Sequence, residues 1–473
     1  MGGFIMEANK TTCVERVMSK STGLKRSMKM KAAVMTGVGG TIGTGLFLSS
    51  GDVLATAGPA GAIILYIIGG FMAWLMTTCL GEMAAAMPVS GSLQAYTTEF
   101  CGPSLGFTIG WVNWVGGAAT ISAQIVACSI LMRDIIPNSP VWIWIIIFAV
   151  LLFGANLLDA KLFGNISFWV SSIKLIMIAA FIVVGAAMVF GGFGSEGAAI
   201  ARERSTGDVS LLSLCGCILT AFYAFAGTEV VASTAGELED EKKMGRTINW
   251  TIFILIAAVV LSIVIVCMLL PADQADVLGS PFVYIFRNAG LNGAALIVNL
   301  VVLTSALTSG NYFVYGCSRY LWSMAKFNQA PKIFARTSGK GVPVNALLVS
   351  MIFGMLAIIA EFVAEDTVYL FIVYFIGGGN IFMYTVICID QLIFRKKFLG
   401  EGGKPEDLPF KTPLYPLVPI LGIIAFVLML AATLTDPGER LGILVCAICY
   451  AAIFVGSKIF VSKRGGEAAN IDL

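Results

Sequence analysis

A chain of 473 residues that is 58% hydrophobic and only 12% charged lies outside the soluble globular range, which runs nearer half apolar and a quarter charged. The composition is that of an all-α polytopic membrane protein. A formal charge of +2 provides no basic field for nucleic acid, and the absence of histidine excludes histidine relays, Ser/His/Asp catalysis and HExxH zinc sites.

The first 31 residues are polar and basic, with no apolar core of a cleavable signal, and are expected to form a cytoplasmic tail. A membrane span needs about 20 apolar residues. On that rule twelve spans are expected, at 32–57, 60–80, 105–132, 141–157, 166–190, 210–236, 248–271, 293–323, 344–362, 366–393, 415–434 and 441–461. Most lysines and arginines fall in the tails and in every second loop, which predicts that both termini are cytoplasmic. The cysteines show no metal spacing and sit mainly in apolar runs, as small packing residues.

Span one contains Gly39-Gly40-Thr41-Ile42-Gly43-Thr44-Gly45. Each glycine weakens a helix by about 1 kcal/mol relative to alanine. In hydrocarbon every backbone N–H and C=O also needs a partner. Two readings compete here: close helix packing, and a broken helix that offers N–H groups to an anion and carbonyls to a cation. A zwitterionic amino acid carries both charges. Span six has a matching interruption at Ala226-Gly227-Thr228, within the run Phe222-Tyr223-Ala224-Phe225-Ala226-Gly227-Thr228-Glu229. Five spans separate the two starts, so residues 210–393 form a second unit inverted relative to residues 32–190. Residues 415–461 stand outside the repeat, and 462–473 form a second cytoplasmic tail.

Two charges fall inside spans. Lys174 lies about 12 Å and Glu229 about 11 Å from the cytoplasmic end, at 1.5 Å per residue. Intramembrane ionisable residues are functional candidates by default. An ammonium at Lys174 can partner exposed carbonyls as a bound cation does, and it is placed for proton exchange; a purely structural lysine is the competing reading. Glu229 is either a gate or a cap on the broken helix. Tyr223 is either a lid over substrate or a packing residue. Trp111 and Trp114 read as packing. Ser309, Asn311 and Tyr315 are polar enough to face a cavity. Glu82 closes span two at the membrane interface, and residues 237–243 read as a solvated loop.

Several motifs together resemble bacterial amino-acid permeases of the amino acid–polyamine–organocation superfamily, nearest its amino acid transporter family. They are Gly39–Gly45 with Leu46-Phe47, Gly58-Pro59-Ala60-Gly61, Gly81-Glu82-Met83 through Pro88-Val89-Ser90-Gly91-Ser92, and Phe168-Trp169 with Ile173-Lys174. Further along stand Gly227-Thr228-Glu229, Ala235-Gly236-Glu237, Ser318-Arg319, Ala330-Pro331-Lys332 and Gly341-Val342-Pro343-Val344-Asn345-Ala346. The resemblance implies a five-plus-five inverted repeat with two added helices. It implies substrate at the two breaks, with Thr41, Ile42, Gly43, Thr44 and Gly45 on the carboxylate and carbonyls around Phe222, Tyr223, Ala224, Phe225 and Ala226 on the amino group. Lys174 matches a lysine that stands where sodium-coupled relatives hold sodium, implying proton coupling without sodium. Glu229 matches a carboxylate tied to gating and proton sensing.

Three departures stand out: Ala226 where glutamine is common, Gly116-Gly117-Ala118-Ala119 after the span-three tryptophans, and Gly377-Gly378-Gly379-Asn380 in span ten. They suggest a roomier or more apolar side-chain pocket. No acidic residue is obviously placed in that pocket to meet a cationic side chain, which favours neutral amino acids. The expected protein is a proton-coupled amino-acid importer in a bacterial inner membrane, working by alternating access. It is not an enzyme, and it needs no metal or cofactor and no nucleic acid. Its partners are the amino acid and lipid, and its oligomeric state is left open. The alternatives are an amino acid/amine exchanger and a membrane amino-acid sensor.

Overall fold

The fold comes from a computed structural model that describes residues 12–18, 28–89, 92–157, 160–191, 210–233, 235, 238–271, 280–326, 329–339, 342–355 and 368–463. Among these every regular element is helical; the one β-bridge joins Met28 and Leu238. Seven helices are long and apolar enough to cross a membrane, and four shorter apolar helices lie at Val141–Asn156, Leu211–Tyr223, Val344–Phe353 and Leu417–Thr433. Span one completes the set in pieces: Met30–Thr41, Thr44–Phe47, and the outer part of Ser49–Ala86. That last helix turns into span two at Gly58, whose φ of 69° is open to glycine, with Pro59 next to it. The end of span nine beyond 355, the start of span ten before 368, the Arg202–Arg204 loop, Gly236 and Glu237 lie outside the described residues.

Two spans run further than their apolar stretches. Span two continues to Ala86 and span ten to Gly400. Both extensions carry charge, and both are stabilised by it. Glu82, expected at the interface, is fully buried. Arg395 of span ten grips it through Nε and Nη2 of its guanidinium, Gln391 Nε2 donates to it at 3.1 Å, and the Thr412 N–H at 2.6 Å. A carboxylate with four donors and a paired cation is satisfied away from water.

The bundle is apolar on the outside as well as inside. Trp169, Phe253 and Leu428 are each more than 60% exposed, as lipid-facing side chains are. Several buried polar side chains are satisfied within their own helix; Thr251 Oγ1 donates to the Thr247 carbonyl at 2.8 Å, and Asn156 and Ser129 bond one turn back in the same way. Cys128, Cys217, Cys267 and Cys446 are buried and all eleven thiols are free, in keeping with packing.

At the end of the bundle that carries Met28, a short helix, Cys13–Met18, packs Cys13 and Val17 inward. Arg16 bonds Glu99 at 3.0 Å and Glu401 at 3.2 Å, and Lys397 shares Glu99 at 2.9 Å. The Glu239 N–H donates to the Met28 carbonyl at 3.0 Å.

Candidate functional site

The glycine run of span one is mostly helical. Helix persists through Gly39, Gly40 and Thr41, and only Ile42 (φ −71°, ψ 102°) and Gly43 (φ −144°, ψ −142°) leave it. The break is therefore narrower than the glycine content predicts, because packing against neighbours holds Gly39 and Gly40 in register. A Cβ at Gly39 would overlap the Ser171 side chain, so glycine is what lets span five approach.

That approach delivers Lys174. Its Nζ is buried and donates to the carbonyls of Gly39 (2.8 Å), Ile42 (2.9 Å) and Ser305 of span eight (3.2 Å). An ammonium has three donors, and all three are used. Ser309 Oγ donates to the Gly40 carbonyl at 2.9 Å, and Gln124 Nε2 to Thr44 Oγ1 at 3.1 Å. Thr41 closes back on Gly37 at 3.0 Å. The carbonyls freed by the first break are thus taken up by spans five and eight.

The second break is wider. Helix ends at Tyr223 and resumes at Val230, with Gly227 at φ 97° between them. The turn closes on itself: Phe225 N–H bonds the Phe222 carbonyl at 2.9 Å, and Ala226 N–H the Tyr223 carbonyl at 3.1 Å. Glu229 Oε2 accepts from the Gly227 N–H at 3.1 Å and from the Tyr384 hydroxyl at 2.6 Å. It caps the break, and its second partner comes from span ten. Phe222 points away from the break, edge-on to Tyr384 and Phe426. Phe225 lies on Gly69 and Gly70 of span two. Tyr223 packs with Ala123 of span three and Val373 and Ile376 of span ten.

The two breaks cross. A Cβ at Gly45 would come within 2.8 Å of the Tyr223 carbonyl oxygen and 2.9 Å of Ala224 Cα, and one at Gly227 would sit 3.6 Å from the Gly40 oxygen. The predicted residues Thr41–Gly45 and Phe222–Ala226 therefore form one crossing.

A cavity of about 20 Å³ adjoins it, room for little more than one water. Ala226, Gly227 and Glu229 form its near wall. Asn113, Gly116, Gly117 and Thr120 of span three, Phe313 of span eight, and Gly379, Asn380 and Met383 of span ten complete much of the rest. Tyr450 of span twelve reaches it too. Gly116 opens onto free space, whereas Gly117 packs against Cys317. The departures in spans three and ten thus line this cavity with Gly116, Gly117, Gly379 and Asn380, beside the apolar Val112, Ile376 and Met383.

Other expectations sort as follows. Trp114 Nε1 bonds Ser350 at 2.9 Å and Trp111 Nε1 the Gln329 carbonyl at 3.2 Å, so both tryptophans tie span three to its neighbours. Ser309, Asn311 and Tyr315 do not line the cavity: Ser309 holds Gly40, Asn311 accepts from Asn156 at 2.6 Å, and Tyr315 lies under Arg319. Sequence reasoning passed over Tyr384, whose tyrosine carries no signal in an apolar run. It also passed over Asp390, buried in span ten and bonded to Thr97 at 2.6 Å, which a scan for carboxylates inside spans would have found.

The sequence model of the amino acid permease family matches residues 32–465. The amino-acid permease RocC of Bacillus subtilis is 39% identical over 92% of this chain and 95% of its own length. The lysine-specific permease LysP of Escherichia coli is 34% identical over 88% of this chain and 87% of its own, and the gamma-aminobutyric acid permease of Bacillus subtilis 34% over 95% and 96%. Helices fit to span a bilayer, two of them broken and crossed beside a small cleft, agree with that kinship. The chain belongs to the amino acid permease family, and it is a bacterial membrane protein that transports amino acids rather than an enzyme.

Proposed function

We propose that this protein imports amino acids across the cytoplasmic membrane by proton symport, through alternating access at the crossed breaks. Both termini face the cytoplasm. Residues 32–190 and 210–393 are the two inverted halves, with substrate between them. The carboxylate of the amino acid meets the backbone at Thr41–Gly45, and its ammonium meets carbonyls of Phe222–Ala226. Half-helix ends and unwound backbone suit these charges because their own polar groups point into the gap.

The observation that carries the reading is the Lys174 ammonium on the carbonyls of Gly39, Ile42 and Ser305. It occupies a carbonyl cage of the kind that would hold a bound cation, which argues against sodium coupling. A deprotonated amine has two donors rather than three. Losing the proton frees at least one carbonyl and loosens span one from span five or eight, which is how a proton would bias the equilibrium between states. Glu229, linked to span ten through Tyr384, is the gate on the other break.

The test is uptake of labelled amino acids into proteoliposomes under an inward proton gradient without sodium. Accumulation above equilibrium is expected for the wild type. In Lys174→Ala, at equal reconstituted protein, accumulation falls to equilibration while counterflow exchange persists. Undiminished accumulation in that variant removes Lys174 from the mechanism, and exchange without net uptake in the wild type overturns symport.

A further inference from the structure

The glycines of span ten and the tyrosine of span twelve are left unused by this account. Gly377, Gly378 and Gly379 let other helices press against span ten: Leu219 on Gly377, Cys446 on Gly378, and the Tyr450 hydroxyl on Gly379. Any Cβ at Gly379 would collide with that hydroxyl. Tyr450 is only 7% exposed, and its ring is aimed by Phe382, centroids 6.3 Å apart and nearly parallel, and by Phe375 at 6.2 Å. Tyr450 lines the cavity, and its buried hydroxyl makes no hydrogen bond to a described oxygen or nitrogen; its polar neighbour is the Cys446 thiol, a weak partner. A buried hydroxyl without a strong partner calls for an explanation, and one held rigidly at a cavity wall is explained by a ligand that supplies the bond.

We propose that Tyr450, reaching through the glycine gap of span ten, forms with Asn113 and Asn380 the far end of the substrate site, and that this end selects amino acids whose side chains terminate in an N–H or O–H donor. This rests on the transport reading above. The cavity runs from the break at Ala226–Gly227, where the amino-acid backbone is held, to Tyr450. Its polar groups are the Asn113 and Asn380 carboxamides, the Thr120 and Tyr450 hydroxyls and the Glu229 carboxylate, set among the apolar Val112, Phe313, Ile376 and Met383; among the described residues no lysine or arginine lines it. The polar groups of this wall offer acceptors and no positive charge. A donor-ended side chain, cationic or neutral, finds partners there. A side-chain carboxylate would face Glu229 with no compensating charge, and an aliphatic end would leave the amides and hydroxyl unpaired. The site thus extends to a helix outside the two repeats.

The experiment measures uptake of labelled lysine, asparagine, leucine, alanine and glutamate by proteoliposomes holding the full chain. Lysine or asparagine is expected to show the lowest KM, and glutamate none that can be measured. Tyr450→Phe keeps the ring stacking and removes one hydrogen bond. It is expected to raise KM for the preferred substrate about fivefold with kcat unchanged, while KM for alanine stays put. Gly379→Ala, which pushes the hydroxyl aside, is expected to raise the same KM, and combining both adds less than their product. No uptake of any amino acid would strike down the transport reading itself. Uptake led by leucine or glutamate, or an equal KM in Tyr450→Phe, leaves transport standing and overturns this subsite.

Discussion

The two helix breaks solve one problem in opposite ways. The break in span one is two residues wide, and its carbonyls are capped from outside, by Lys174 of span five and Ser309 of span eight. The break in span six is wide enough to turn, so it closes mostly on itself, with Glu229 and Tyr384 as a single tether to span ten. The first is therefore conditional on its neighbours' positions and charge, and the second is largely self-sufficient.

The comparison is broken most directly at Lys174. Lys174→Ala orphans the carbonyls of Gly39 and Ile42, while that of Ser305 keeps the Thr308 hydroxyl, and at about 1–3 kcal/mol for each buried unsatisfied group the protein should lose several kcal/mol. Thermal unfolding in detergent reads this as a large fall in midpoint; a midpoint within a degree of wild type would mean that span one does not depend on span five. Gly45→Ala comes next. Its Cβ would meet backbone of Tyr223 and Ala224 at under 3 Å, and backbone cannot swing aside as a side chain can. Spreading the crossing should cut uptake about tenfold or more, equivalent to ~1.4 kcal/mol, and lower the unfolding midpoint as well, since overpacking costs about 1–3 kcal/mol. Tyr384→Phe should matter less, because the Gly227 N–H still holds Glu229. A destabilisation of about 1–3 kcal/mol is expected, since the hydroxyl bonds a charged acceptor. A loss as large as that of Lys174→Ala would show that the second break is not self-sufficient.

The smallest effect lies outside the spans, at the helix Cys13–Met18. Burial pushes the Glu401 carboxyl up, but the Cys13 N–H and thiol and the Arg16 guanidinium outweigh it and hold it below the usual carboxylate range. A depressed carboxylate contributes stability that is fully present above its unfolded value, about 4.3, and that is lost as pH falls through the lowered folded value. Its partner Arg16 is over a third exposed, so screening keeps the gain small. Limited proteolysis within Cys13–Met18 should thus be slow from pH 5 upward and accelerate only in stronger acid. Acceleration already at pH 6 would refute the link to Glu401.

Much of this was legible in the sequence. Lys174 and Glu229 stand out because a charge in an apolar run has few reasons to be there. Glycine clusters mark breaks because glycine is a poor helix residue. The reading failed where a partner lies far along the chain. Glu82 was placed at the interface because nothing near it can neutralise it; Arg395 does so from 313 residues away. The break in span one was drawn too wide because propensity alone ignores the Ser171 and Tyr312 contacts that keep Gly39 and Gly40 helical. Asn311 and Tyr315 were assigned to a cavity by polarity, which says that a residue has a partner but not which one.

Local chemistry alone determined that the chain spans a membrane many times, roughly where two of its helices break, and that Lys174 and Glu229 are buried. Each is a property of about twenty consecutive residues in a solvent that punishes unpaired polar groups. Tertiary structure decided that Gly45 meets Tyr223, that Lys174 meets Gly39, Ile42 and Ser305, and that Tyr450 looks through Gly379 into the cleft. Those pairings depend on how closely helices approach and rotate against one another, and the small residues that permit the approach do not name the side chain that will fill the space.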